Sequence, residues 1–177
     1  MTQIRDLLHR RLASLVILAI ILPFLAHPLH AVTFQELQAD KNLTPESLMR
    51  RLAHFKFRLT ADLQPRDQFL ASETGDCDDF ATLAADVLKA KGFTTQLIAV
   101  HMEKQFHVVC YVKEVNAYLD YNNRKKPSPL VSTDGSLDDI ADKVAHSFRT
   151  PWSTVAEFIY NAGVRRVIAL DFCQRNG

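Results

Sequence analysis

Residues 75–92 read GDCDDFATLAADVLKAKG, and how this stretch is read decides the fold. Cys77, Phe80, Leu83, Ala84, Val87 and Leu88 fall on one face at helical spacing, and Gly92 stands where a C-terminal cap belongs. Lys89 and Lys91 complement the negative end of the helix dipole. At the other end, Asp76 is a good N-cap, and Asp79, three residues on, can reach back as the partner in a capping box. An amphipathic helix therefore begins at a cysteine flanked by carboxylates. Neighbouring negative charge disfavours a thiolate, whereas the unpaired N–H groups and partial positive charge of a helix N-terminus favour it. The second effect offsets the first and makes Cys77 a candidate nucleophile.

Downstream of this helix the periodicity changes. FTTQLIAVHM (93–102), QFHVVCYVK (105–113) and AYLDYN (117–122) read as strands. In the second of these, His107, Val109 and Tyr111 point one way, and Val108, Cys110 and Val112 the other. A four-residue hairpin loop over 113–116 pairs Val112 with Ala117 and sets Asp120 opposite Val109, diagonal to His107. Diagonal neighbours on one face are about 7–8 Å apart, within side-chain reach. A two-residue turn at Val115–Asn116 would separate them, so the pairing depends on register. An imidazole next to a thiol can take its proton, and a carboxylate behind the ring fixes the tautomer and steadies the imidazolium. Cys77, His107 and Asp120 thus form a candidate set for acyl transfer. His101, near a strand end, is a rival base.

Upstream, residues 45–57 read as a helix with Thr44 as N-cap and Pro45 at its first position, and residues 65–72 as a shorter one. Beyond the strands, NNRKKPSP (122–129) and STDGSLDD (132–139) are polar loops with turn chemistry. Residues 137–148 and 151–163 look helical, the second opened by Pro151 and closed by Gly163, and RRVIALDF (165–172) reads as a last strand. A helical front, a central run of strands and a terminal helix–strand unit give an α+β domain with an antiparallel sheet.

The 177 residues suit one domain, and 47% hydrophobic with 23% charged residues excludes a disordered chain. Residues 1–31 combine Arg5, Arg10 and Arg11 with the apolar run LASLVILAIILPFLA and then HPLHA, the order of a secretory signal peptide with cleavage near Ala31. An uncleaved N-terminal anchor is the other reading of this segment. Both place residues 32–177 outside the cytoplasm, in the periplasm or secreted. The leader holds three Arg and one Asp, so of 21 basic and 20 acidic side chains 18 and 19 remain. A balance this even offers no basic stripe for nucleic acid. No second apolar stretch is long enough for a bilayer, so no membrane partner is expected after cleavage, and a monomer is expected. Cys77, Cys110 and Cys173 are an odd set for an oxidising compartment. Cys110 and Cys173 could be bridged, which leaves Cys77 as the free thiol.

The run GDCDDFATLAADVLKAKGF, followed by HVVCYV with His107 thirty residues after Cys77 and by YLDYN with Asp120 thirteen further on, resembles the transglutaminase-like cysteine-protease superfamily. The resemblance covers residues 65–122. It implies a papain-like core, a nucleophile helix packed on an antiparallel sheet, with Cys77 as nucleophile, His107 as general base and acid, and Asp120 as the orienting residue. It also implies an oxyanion hole made by the Cys77 N–H and an upstream side chain, for which Gln68 is the nearby amide. No cofactor is required by this chemistry. Some exported bacterial members, calcium-dependent adhesin-cleaving proteases, bind calcium through acidic residues flanking the cysteine, which implies Asp76, Asp78 and Asp79 as ligands here. Capping and dipole complementarity would select the same three residues. The activity implied is hydrolysis of a protein or peptide amide bond. Acyl transfer from protein glutamine to an amine, and a non-catalytic binding or scaffold module, are the alternatives.

Overall fold

The computed structural model describes residues 31–161 and 163–173. Apart from Ala31, the expected leader lies outside the described residues. Two short helices come first, α1 (Phe34–Ala39) and α2 (Pro45–Arg51), each started by a threonine whose side chain caps the third helical N–H. The helix expected over 45–57 is shorter than its apolar spacing suggested. It stops at Leu52, and Lys56–Phe57 turn into a two-residue strand, β1, paired in parallel with β2 (Thr74–Gly75). Helix α3 (Arg66–Ser72) lies between the two and ends on Glu73 in the left-handed region.

Helix α4 (Cys77–Ala90) follows β2 directly. Its end is a Schellman motif: the Phe93 N–H donates to Leu88 O and the Gly92 N–H to Lys89 O, with Gly92 at φ 87°. Strands β3 (Thr95–Met102), β4 (Phe106–Val112), β5 (Ala117–Leu119) and β6 (Leu130–Ser132) come next. Then follow α5 (Leu137–Phe148), β7 (Trp152–Asn161) and β8 (Val164–Phe172). The sheet order is β6-β5-β4-β3-β7-β8, and every pair is antiparallel. One face packs on α4 and the short helices through Phe80, Leu83, Leu97, Val108 and Phe158. The other packs on α5 through Ile98, Val109, Tyr118, Val144 and Trp152. An α+β domain with an antiparallel sheet is what the periodicities had led one to expect.

Residues 152–161 depart from expectation, being a strand where the flanking Pro151 and Gly163 suggested a helix. Six of the ten, in WSTVAEFIYN, are aromatic or β-branched, which suits a pleated surface. The free edge of β3 supplies the partner: Leu97 pairs with Phe158 and Val100 with Val155. Gly163, at φ 78°, turns the chain from β7 into β8. The terminal unit is therefore a hairpin.

All three cysteines are free. Cys110 lies in the core layer on the α4 side and Cys173 packs on the α5 side, so the sheet separates the pair considered for a bridge. Burial pushes the Cys110 thiol up to about 12, which keeps it protonated and inert. Among the described residues no helix is long and apolar enough to cross a membrane.

The strand assignment has a measurable consequence. Phe158 is 1% exposed and its chain neighbour Ile159 is 41% exposed, because successive strand residues face opposite ways. Phe158→Ala should cost about 3–5 kcal/mol in urea denaturation. Ile159→Ala should cost about 1 kcal/mol or less.

Candidate active site

The first turn of α4 is assembled from three directions. Asp76 caps the helix, its Oδ1 accepting from the Asp78 and Asp79 N–H groups, while the Asp79 side chain accepts from the Asp76 N–H, completing the capping box. The loop before α3 adds the second set of donors. The Thr60 N–H and hydroxyl donate to Asp76 Oδ2, both at 3.1 Å, and Gln64 donates to Asp79 through its backbone N–H at 2.8 Å and its side-chain Nε2 at 2.6 Å. Asp76 and Asp79 are buried, and buried carboxylates are tolerable only when hydrogen bonds replace their water. Gly75 leaves the room for this. A Cβ there would lie 2.4 Å from Asp79 Oδ2 and 2.8 Å from both Gln64 Nε2 and a Phe69 ring carbon.

Asp78 is held differently. Its Oδ2 accepts from Tyr160 OH at 3.1 Å and from Arg165 Nη2 at 2.6 Å, groups supplied by β7 and β8. Burial raises the Asp78 pKa, against the pull of the Arg165 charge. Its other oxygen, Oδ1, is buried without a hydrogen-bond partner among the described residues.

His107 and Asp120 meet across the β4–β5 hairpin. The loop is a turn of 3-10 helix, Lys113–Val115, closed by Asn116 in the left-handed region that asparagine tolerates. Val112 then pairs with Ala117 and Cys110 with Leu119, the register of the four-residue loop. His107 Nε2 lies 2.8 Å from Asp120 Oδ1, which also accepts from the Asn122 N–H at 2.8 Å. Asp120 is 1% exposed and His107 is buried, with the Phe148 ring of α5 packed on the imidazole at 5.0 Å. Burial alone would push the ring toward its neutral form. Hydrogen bonds to Asp120 and Cys77, and then the charges of those two groups, outweigh burial and raise the pKa from 6.5 to about 10. Because Nε2 is engaged by Asp120, Nδ1 is the nitrogen left for Cys77.

Half-buried Cys77 and His107 share a cleft of about 470 Å³, walled by Phe57, Leu59, Phe106, Tyr121 and Phe148. The structure thus brings Cys77, His107 and Asp120 together. Two other candidates lie elsewhere. Gln68 sits on the outer side of α3, exposed, because Phe69 and Leu70 take the core-facing positions, and the amides that do line the cleft are Gln105 and Asn122. His101 is exposed and stacks on Phe106, outside the cleft.

The three aspartates also bear on metal binding. Five of their six carboxylate oxygens already accept protein hydrogen bonds, and a guanidinium occupies the cation position beside Asp78. Calcium requires six to eight oxygen ligands. With five oxygens turned to N–H and O–H donors and a guanidinium on the third carboxylate, the donor set as folded does not suit the ion.

Sequence reasoning missed Thr60, Gln64, Tyr160 and Arg165. Nothing near them in the chain signals the contact, since the Arg165–Asp78 pair spans 87 residues. Gly75 was legible as part of the motif, and its packing is testable. Asp79 and Gln64 are pinned by their own hydrogen bonds and the Phe69 ring by core packing, so none of them can simply swing away. Gly75→Ala should therefore cost about 1–3 kcal/mol in urea denaturation, although the residue touches nothing catalytic.

No protein-family model and no curated protein matches the sequence. Among solved structures the chain is similar to calcium-bound LapG of Legionella pneumophila, with a TM-score of 0.50 and 14% identity over 76% of each chain. At that identity the likeness is one of fold. What the two share is an α+β fold with an antiparallel sheet.

Proposed function

We propose that the protein is an exported cysteine peptidase that hydrolyses protein or peptide amide bonds through Cys77, His107 and Asp120. The observation that carries this reading is the His107–Asp120 contact of 2.8 Å at the wall of the cleft that holds Cys77. A buried carboxylate has little reason to face a buried imidazole there unless the ring's proton matters.

In this mechanism Cys77 Sγ attacks the substrate carbonyl carbon as the thiolate, and the carbonyl π electrons move to oxygen. The Cys77 backbone N–H, at the first position of α4 where helical N–H groups have no intrahelical partner, is the oxyanion donor supplied by the motif itself. Collapse of the tetrahedral species breaks the C–N bond, and His107 Nδ1 delivers its proton to the departing amine. The resulting thioester is attacked by water, whose proton returns to His107 as the acid leaves and the C–S bond breaks. Asp120 keeps Nε2 protonated throughout, which aims Nδ1 at the sulfur. The apolar wall of Phe57, Leu59 and Phe106 gives the substrate chain a surface to lie on and thins the water around the reacting carbonyl.

The reading is tested by comparing wild type with Cys77→Ser and His107→Ala on proteins from outside the cytoplasm, alongside iodoacetamide labelling. Wild type should give discrete fragments and fast, pH-dependent alkylation at Cys77. His107→Ala should lower kcat/KM by about 10²–10⁴-fold and slow the alkylation. Identical fragment patterns from wild type and Cys77→Ser would end the proposal.

A further inference from the structure

Three carboxylates crowd the first turn of α4, and only Asp78 is paired with a formal positive charge among the described residues. Arg165 reaches it from β8, where it stands opposite Tyr160 of β7. The guanidinium is fixed on more than one side: Nη2 donates to Asp78 Oδ2 at 2.6 Å and to Tyr160 OH at 3.4 Å, and its carbon lies 4.4 Å from the Phe158 ring centre and 5.0 Å from that of Phe106. Arginine against aromatic faces is held by cation–π attraction that strengthens as water is excluded. The pair is largely sheltered, with side-chain exposures of 31% and 18%. Asp78 directly follows Cys77, and Phe106 directly precedes His107, so this one side chain touches the immediate neighbours of both reacting residues.

We propose that Arg165 is a built-in cation at the start of the nucleophile helix, so that the site is set without calcium. It offsets the carboxylate next to Cys77 and ties the β7–β8 hairpin to both Cys77 and His107. This rests on the reading of Cys77 as nucleophile. Arg165 is a positioning residue that acts through Asp78. A calcium ion bound by Asp78 would have to displace the guanidinium or sit beside it against charge repulsion, and the neighbouring Asp76 and Asp79 oxygens are already turned toward Thr60, Gln64 and the helix N–H groups.

The test has two arms on the full chain. In the first, thermal unfolding of wild type is followed in millimolar calcium and in a calcium chelator. The same Tm in both is expected, and a calcium-dependent rise in Tm would overturn the proposal without reference to activity. In the second, the rate and pH profile of Cys77 alkylation by iodoacetamide are compared among wild type, Arg165→Met, Arg165→Lys and Asp78→Asn. Arg165→Met should slow alkylation by about tenfold or more with a shifted pH profile. Arg165→Lys should recover part of the rate, and combining Asp78→Asn with Arg165→Met should add little to either change alone. An unchanged rate and profile in Arg165→Met, or full additivity with Asp78→Asn, would overturn it. A wild-type Cys77 that is not fast-reacting would remove the peptidase reading, and the calcium arm would still decide whether the chain needs the ion.

Discussion

Three carboxylates, two of them buried, must be given hydrogen-bond partners around a half-buried thiol at the start of α4, and much of the fold can be understood from that constraint. Leaving even one buried carboxylate without partners would cost several kcal/mol, comparable to a large part of a domain's net stability. The chain meets the demand with donors from separate places. Helix N–H groups serve Asp76, the loop at 60–64 serves Asp76 and Asp79, and the last hairpin serves Asp78. The β1–β2 pair delivers the chain to this point from the other side, and Gly75, without a Cβ, lets the donors close in. Elements far apart in sequence thus converge on one helical turn, and the position of Cys77 follows from all of them.

The same logic governs the partner side of the cleft. His107 lies on β4, in the middle of a six-stranded sheet, and Asp120 directly follows the adjacent β5, where its side chain caps the next turn of 3-10 helix, with α5 packed behind through Phe148. A ring buried in this way can be protonated only if a fixed negative charge compensates, and Asp120 provides it. The strand fixes the imidazole and the Asn122 N–H holds the carboxylate at the strand's end, which matters because an error of about 1 Å in such a contact is enough to cost orders of magnitude in rate.

The local parts of this arrangement were legible in the sequence. The capping box of Asp76 and Asp79 and the Schellman end at Gly92 are contacts within a few residues, and of the two turns left open at 113–116 the four-residue loop is the one that forms and puts His107 beside Asp120. What was not legible depends on tertiary partners. Residues 152–161 carry turn signals at both ends that suit a helix as well as a strand, and only the open edge of β3 decides between them. Gln68 seemed the available amide because it is close in sequence, but Phe69 and Leu70 claim the buried side of α3 and leave it in solvent. Arg165 could not be assigned to Asp78 without knowing that β8 returns alongside β7.

The claim on which the account turns is that the thiol, imidazole and carboxylate form one hydrogen-bonded row. The protonation state of His107 reports it most directly, through the nitrogen-15 shifts of its ring followed by NMR as pH is raised. The account predicts an imidazolium near neutral pH that titrates near 10, with a lower value in Cys77→Ser. A ring that is neutral above its ordinary value of 6.5, and indifferent to the loss of the sulfur, would contradict it.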